Sequence, residues 1–284
     1  MQQKHILAVN DISCMGRCSL TLALPVISAA GIITSVIPTA VLSTHTTGFT
    51  GYNYRDLSSD ILPIAGHWQT LSGFSFDAIY TGYLGSQEQI DIVAELIRRF
   101  KKDKTLILID PVMADHGRLY AGFSADFPSR MAELCTEANV ITPNITEALL
   151  MLDKPYKEGP YSREFIQDIL YTISKGRKVV LTGVYFSEEE YGAAVYDGKS
   201  THFSLGKRIP GDYNGTGDLF ASLLTAALVK GISLNKATDI AVDYTLKSIE
   251  RTYKAGTDVK YGVNFEEGLS GLLQLIRAAH PHDC

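Results

Sequence analysis

Apolar residues recur along the chain in two alternating rhythms. Short, nearly continuous apolar runs predict strands at HILAVND (5–11), ITSVIPTAVL (33–42), FDAIYTG (76–82), TLILID (105–110), ANVITPN (138–144) and KVVLTG (178–183). TLILID has the uniform character of a strand buried on both faces. Between these runs the spacing turns helical: SLTLALPVISAAG (19–31), which Gly31 stops, then 56–72, SQEQIDIVAELIRRF (86–100) and TEALLML (146–152). Ser86 is a candidate N-cap, and Arg98 and Arg99 suit the negative end of the same helix. One stretch, YGAAVYDGKSTHFSL (191–205), predicts an antiparallel hairpin around Asp197-Gly198, the only one in the chain. Beyond Gly217 almost everything reads as helix. Strand–helix alternation predicts a mainly parallel sheet covered by helices on both faces. No repeat, low-complexity tract or linker divides the chain, so one α/β domain is expected over 1–284.

Composition narrows the field. The 284 residues are 45% hydrophobic, 10% aromatic and 20% charged, which is incompatible with intrinsic disorder. A formal charge of -5 argues against general nucleic-acid binding. No apolar run approaches the roughly 18 to 20 residues that cross a bilayer, and the N-terminus lacks a secretory pattern. The four cysteines (Cys14, Cys18, Cys135, Cys284) are too scattered for a disulfide scaffold. Cys14 and Cys18 read as plain thiols near a strand-to-helix junction, since nothing nearby completes a zinc site. A reducing cytoplasm is the expected setting.

In an open parallel sheet, ligands bind beyond the carboxyl ends of the strands. Several strands end in polar or glycine-rich residues: Asn10-Asp11, Ser43–Gly48, Thr81-Gly82-Tyr83, Asp110-Pro111 and Thr142–Asn144. Each alone is ordinary turn chemistry; together they predict a cleft. The most informative segment is GDYNGTGD (211–218), followed by the apolar helical run LFASLLTAALV. A glycine-rich turn opening a helix aims backbone N–H groups at an anion. It is neither a Rossmann fingerprint nor a Walker A loop. The same residues also suit a plain helix start with Asp218 complementing the dipole. Alternatively, Asp218 takes the proton of an alcohol as that oxygen attacks a phosphoryl group, with the amides stabilising the transferred charge. The helix N-terminus should make such an acid less basic.

These segments resemble the ribokinase-like superfamily: Gly215-Thr216-Gly217-Asp218 opening a helix, with Thr142-Pro143-Asn144-x-x-Glu147 and Asp110-Pro111-Val112-Met113 upstream. Within it, Thr81-Gly82-Tyr83-Leu84-Gly85-Ser86 and Ser43-Thr44-His45-Thr46 are similar to pyridoxal kinases, over about residues 5 to 275. The resemblance implies a three-layer α/β/α sandwich around a central, mostly parallel sheet. It implies transfer of the ATP γ-phosphate to the 5′-hydroxymethyl group of pyridoxal, pyridoxine or pyridoxamine. Asp218 would be the catalytic base, and Gly215, Thr216 and Gly217 the anion hole. Asp110, Thr142, Asn144, Glu147 and Asn214 would serve the nucleotide, with Asp110 and Glu147 around Mg²⁺. Asp11, His45, Thr46, Thr47 and Tyr83 would contact the substrate ring. A monovalent cation such as K⁺ and a homodimer are further family expectations.

The chain departs from the pyridoxal kinase pattern at two places. Asp11 stands where many members carry Ser, and Gly183 where some carry Lys. Hydroxymethylpyrimidine kinases of thiamine synthesis are the nearest alternative, but they usually have Cys where this chain has Asp218. A catalytically silent B6- or nucleotide-binding sensor is a third reading, against which Asp218, Asn144 and Glu147 weigh.

Overall fold

The computed structural model describes residues 3–279. In chain order the elements are β1 (His5–Ser13), α1 (Ser19–Ala29), β2 (Ile33–Leu42), β3 (Tyr54–Asp56), α2 (Ser58–Gln69), β4 (Ala78–Thr81), α3 (Gln87–Phe100) and β5 (Leu106–Ile109). There follow β6 (Ala114–Asp115), β7 (Arg118–Leu119), α4 (Phe127–Leu134), β8 (Val140–Ile141), α5 (Ile145–Met151), α6 (Arg163–Ser174) and β9 (Lys178–Val184). The last are β10 (Glu190–Tyr196), β11 (Thr201–Lys207), α7 (Thr216–Val229), α8 (Leu234–Ala255) and α9 (Leu269–Ala279). Nine strands form one sheet in the order β11-β10-β9-β8-β5-β4-β1-β2-β3. The six from β9 to β2 run parallel, and antiparallel strands close both edges.

Strand alternation divides the interior into two cores. Leu7, Val9, Ile79, Ile107 and Ile109 face α2 to α6 on one side, while Ile6, Ala8, Tyr80 and Leu108 face α1, α7, α8 and α9 on the other. Covering both faces is why the central strands read as unbroken apolar runs. The result is the expected α/β/α sandwich. The same alternation continues past the last apolar residue of each strand. Asn10 and Asp110 extend the rows of Ala8 and Leu108, so both emerge on the α7 side, at the carboxyl end of the sheet.

Local chemistry explains the element ends. Ser86 caps α3 by accepting from the Gln89 N–H at 3.2 Å, and that helix buries Ile90, Val93, Leu96, Ile97 and Phe100 on one face. Each such side chain contributes about 1.5–3 kcal/mol of hydrophobic stabilisation. Gly31, at φ +73°, terminates α1.

Several expectations need correction. The hairpin at 190–207 is not the only antiparallel pairing: β3 pairs with β2, and β6 with β7. The helix expected over 56–72 is shorter, because Tyr54–Asp56 is an edge strand whose Asp56 accepts from the Ser58 N–H. The helices α4 and α6 carried no expectation; α6 starts at Ser162, whose side chain accepts from the Phe165 N–H. Cys284 lies outside the described residues; Cys14, Cys18 and Cys135 are free thiols. Among the described residues, no helix is long and apolar enough to cross a membrane.

Candidate active site

The loop 211–215 joins the β11 edge to α7, and Gly215 is its critical residue. Its φ of +76° lies in the left-handed region, and a Cβ there would overlap the Arg17 carbonyl oxygen. This close approach brings the segment before α1 against the segment before α7. The first amides of a helix have no intrahelical acceptor. Among the described residues, the N–H groups of Gly215, Thr216 and Gly217 bond to no protein carbonyl. Thr216 Oγ donates instead to the Tyr213 carbonyl at 3.1 Å, which fixes the turn. No protein atom lies within 4 Å of a Cβ built on Gly217, so space is left beside these donors. The donors are unspent, as an anion hole requires.

Asp218 stands in the same first turn, at the wall of a cavity of about 130 Å³. Its Oδ1 accepts from Asn10 Nδ2 at 3.1 Å and its Oδ2 from the Ser19 N–H at 2.8 Å. Ser19 opens α1 at φ +52°, a strained backbone that turns its amide onto the carboxylate. Burial raises the Asp218 pKa above the usual carboxylate range, and the Ser19 and Asn10 donors with nearby His45 only partly offset this. The less basic acid expected from the helix dipole alone is therefore not found; desolvation wins.

The same cavity takes in all five residues expected on the substrate side: Asp11, His45, Thr46, Thr47 and Tyr83 line it with Asp218, Gly215 and Asn214. A register shift in β1 between Asn10 and Ile12 gives Asp11 its own direction. Ser13 Oγ donates to Asp11 Oδ2 at 3.0 Å, and Asp11 lines the cavity. His45 Nε2 lies 2.6 Å from the Lys260 carbonyl, so that nitrogen carries a proton. Tyr83 leans on Phe123 with ring centroids 5.8 Å apart. Ser13, Cys18, Ser19, Leu42, Val112 and Tyr120 also line the cavity and were missed. Ser13 and Leu42 are the last residues of β1 and β2, Ser19 is the first of α1, and Cys18, Val112 and Tyr120 lie in connecting loops; Ser13 could have been read from its i+2 spacing to Asp11.

Burial pushes the Asp11 carboxyl up to about 6 from 3.8. A carboxyl that binds its proton more tightly when folded stabilises fully below its unfolded pKa and loses that contribution as pH rises through the folded one. The difference is worth about 3 kcal/mol. Asp11→Asn is thus expected to raise the denaturation midpoint of the ligand-free protein at pH 8 by several degrees and to leave it unchanged near pH 4. A midpoint shift independent of pH would contradict this.

Asp110 and Glu147 lie deeper. Thr142 Oγ donates to Asp110 Oδ1 at 3.0 Å. Asn144 caps α5, accepting from the Glu147 N–H at 2.8 Å, while Glu147 Oε2 accepts from the Asn144 N–H at 2.8 Å. Glu147 Oε1 also accepts from the Met113 N–H at 3.1 Å, which ties the DPVM turn to α5. Burial pushes both acids well up; Asp218 adds to this at Asp110, and Asp110 adds to it at Glu147. Among the described residues, no cation pairs with Asp11, Asp110, Glu147 or Asp218. Buried acids without a basic partner fit a hard divalent cation. Gly183 sits at φ +77°, a conformation a lysine would adopt only under strain.

The relatives fit this geometry. Residues 24–263 match the family model described as phosphomethylpyrimidine kinase. A pyridoxine/pyridoxal/pyridoxamine kinase of Bordetella avium is 28% identical over 262 residues, covering 87% of this chain and 85% of its own. A hydroxymethylpyrimidine/phosphomethylpyrimidine kinase of Mycobacterium tuberculosis is 26% identical, covering 90% and 92%. Among solved structures, a Bacteroides thetaiotaomicron protein assigned as a phosphomethylpyrimidine kinase and crystallised with pyridoxal is 38% identical. It superposes with TM-score 0.89 over 95% of this chain and 96% of its own. Pyridoxal kinase from Lactobacillus plantarum is 30% identical, with TM-score 0.88 over 98% and 100%. The chain belongs to the phosphomethylpyrimidine kinase family, within the ribokinase-like superfamily.

Proposed function

We propose that this kinase transfers the γ-phosphate of ATP to the 5′-hydroxymethyl group of pyridoxal, pyridoxine or pyridoxamine. The observation that carries the reading is the placement of Asp218. It stands in the helix turn opened by the unspent amides of 215–217 and lines one cavity with Asp11, His45, Thr46, Thr47 and Tyr83. A flat ring seated against Tyr83 presents its hydroxymethyl group to Asp218. The acid accepts the alcohol proton as the oxygen attacks phosphorus, and the amides take up charge on the transferring oxygens. A raised pKa makes Asp218 a better base than an exposed carboxylate, provided the pH keeps it ionised. Asp11 offers its carboxyl to an N–H donor such as a protonated ring nitrogen. Asp110, with Glu147 acting largely through water, would hold a divalent cation, which neutralises triphosphate charge when bound. Thr142 and Asn144 orient these acids, and Asn214 lines the nucleotide side.

The pyridoxal-bound Bacteroides thetaiotaomicron neighbour supports a B6 substrate. The family model and the Mycobacterium tuberculosis relative favour hydroxymethylpyrimidine as the second reading. An ADP-release assay with Mg-ATP and each of pyridoxal, pyridoxine, pyridoxamine and hydroxymethylpyrimidine separates them. A kcat/KM for at least one B6 vitamer tenfold or more above that for the pyrimidine is expected. The reverse order overturns the B6 reading, and tight binding without turnover points to a sensor.

A further inference from the structure

Asn10 belongs to none of the groups that hold substrate or nucleotide, yet it is fully buried and makes three hydrogen bonds at the centre of the site. Its Oδ1 accepts from the Tyr83 N–H at 2.8 Å and the Asp11 N–H at 2.9 Å, and its Nδ2 donates to Asp218 Oδ1 at 3.1 Å. Two backbone donors on one atom and a carboxylate on the other fix which end of the amide is oxygen. A Cβ on Gly82 would overlap this amide, so the glycine before Tyr83 is there to admit it. One side chain therefore touches β1, the turn that carries the ring-facing Tyr83, and the acid of α7.

We propose that Asn10 is a positioning residue that aligns the Asp218 carboxylate with the substrate platform and holds it in its ionised form; this rests on the phosphoryl-transfer reading of Asp218. Asn10 fixes one oxygen, the Ser19 N–H fixes the other, and Asp218 so held lines the cavity. Because the same amide holds the Tyr83 and Asp11 backbones, the distance from ring seat to base is set through one rigid group rather than through two loops. Its donor also opposes the negative neighbours. Asp11 and Asp110 raise the energy of the Asp218 anion, as would Cys18, Tyr80 or Tyr120 if ionised, and His45 is the basic side chain that acts the other way.

Asn10→Asp tests this with almost no change in shape. The variant keeps an acceptor for the Tyr83 and Asp11 amides but turns the donor facing Asp218 into a second carboxylate. Two acids then share one site, and the apparent pKa of the base rises. With whichever substrate the wild type turns over, the acidic limb of the kcat–pH profile is expected to move up by about one unit or more. At pH 7 kcat should fall roughly tenfold, with KM for ATP within about threefold of wild type. Asn10→Ala, which loses the donor without adding charge, should move the limb in the same direction by less. Thermal denaturation of both variants reports folding.

A lowered denaturation midpoint with the limb at its wild-type pH is the signature of a purely structural residue and overturns the proposal, as does failure of both variants to fold. Asp218→Asn, run beside them, separates the two levels. If it remains active, the reading of Asp218 falls. If it is inactive while the Asn10 variants keep the wild-type limb, only the role of Asn10 falls.

Discussion

Asp218→Asn is expected to lower kcat by about 10³-fold while ATP-analogue affinity stays within about threefold of wild type. The carboxylate sits at the cavity wall with both oxygens already oriented, one by Asn10 and one by the Ser19 N–H. An amide in its place cannot accept a proton, and one of its ends faces a donor with a donor. The anion hole is untouched, because its N–H groups belong to the backbone of Gly215, Thr216 and Gly217. Binding and turnover should therefore separate, as they do when an interaction made only in the transition state is removed. Equilibrium titration with a non-hydrolysable ATP analogue, beside steady-state kinetics, checks both halves. Turnover within tenfold of wild type would take Asp218 out of the mechanism.

The second large effect is expected at Gly215. Gly215→Ala puts a methyl group against the Arg17 carbonyl in a left-handed backbone that costs an alanine about 1–2 kcal/mol before any clash. Relief requires moving the Arg17–Cys18 segment or the loop 211–215. The first withdraws the Ser19 amide from Asp218, and the second misaligns the anion-hole amides. Either displacement of about an ångström costs on the order of 100-fold in turnover. A fall in kcat of at least that size is expected, with a denaturation midpoint lowered by several degrees. Gly217→Ala is the internal contrast, since its Cβ meets no protein atom in the unliganded site. It should fold as wild type does and lose activity only through the space it takes from the bound phosphate. Equal losses of stability in the two variants would contradict this account of the loop.

The parts of the site legible in the sequence are those that sit where regular structure stops. Alternation along HILAV and TLILI placed Asn10–Asp11 and Asp110 at the carboxyl edge of the sheet, and the glycine-rich turn before an apolar helix marked Asp218. The mainly parallel sheet covered by helices on both faces followed from the same periodicities. What stayed hidden was built by contacts between remote segments. Ser19 carries a left-handed backbone because Asp218 needs an amide, a requirement 199 residues away in the chain. The eight-residue α4 offers little periodicity, whereas α6 places Ile166, Ile169, Leu170 and Ile173 at helical spacing behind Ser162 and could have been read. The three-residue edge strand Tyr54–Asp56 lies on the surface and has no hydrophobic pattern to show. Glu147 was legible as an acid three residues after Asn144, but the chain alone could not show that its oxygens also clasp the Met113 and Asn144 amides.

The central claim is spatial, and a ternary complex tests it most directly: this protein crystallised with pyridoxal and a non-hydrolysable ATP analogue. The 5′-hydroxymethyl oxygen is expected within about 2.6–3.2 Å of an Asp218 carboxylate oxygen and in line with the terminal phosphorus, whose oxygens take the amides of 215–217. A ring bound with its hydroxymethyl group turned toward Asp110, or a terminal phosphate seated away from the start of α7, would contradict it.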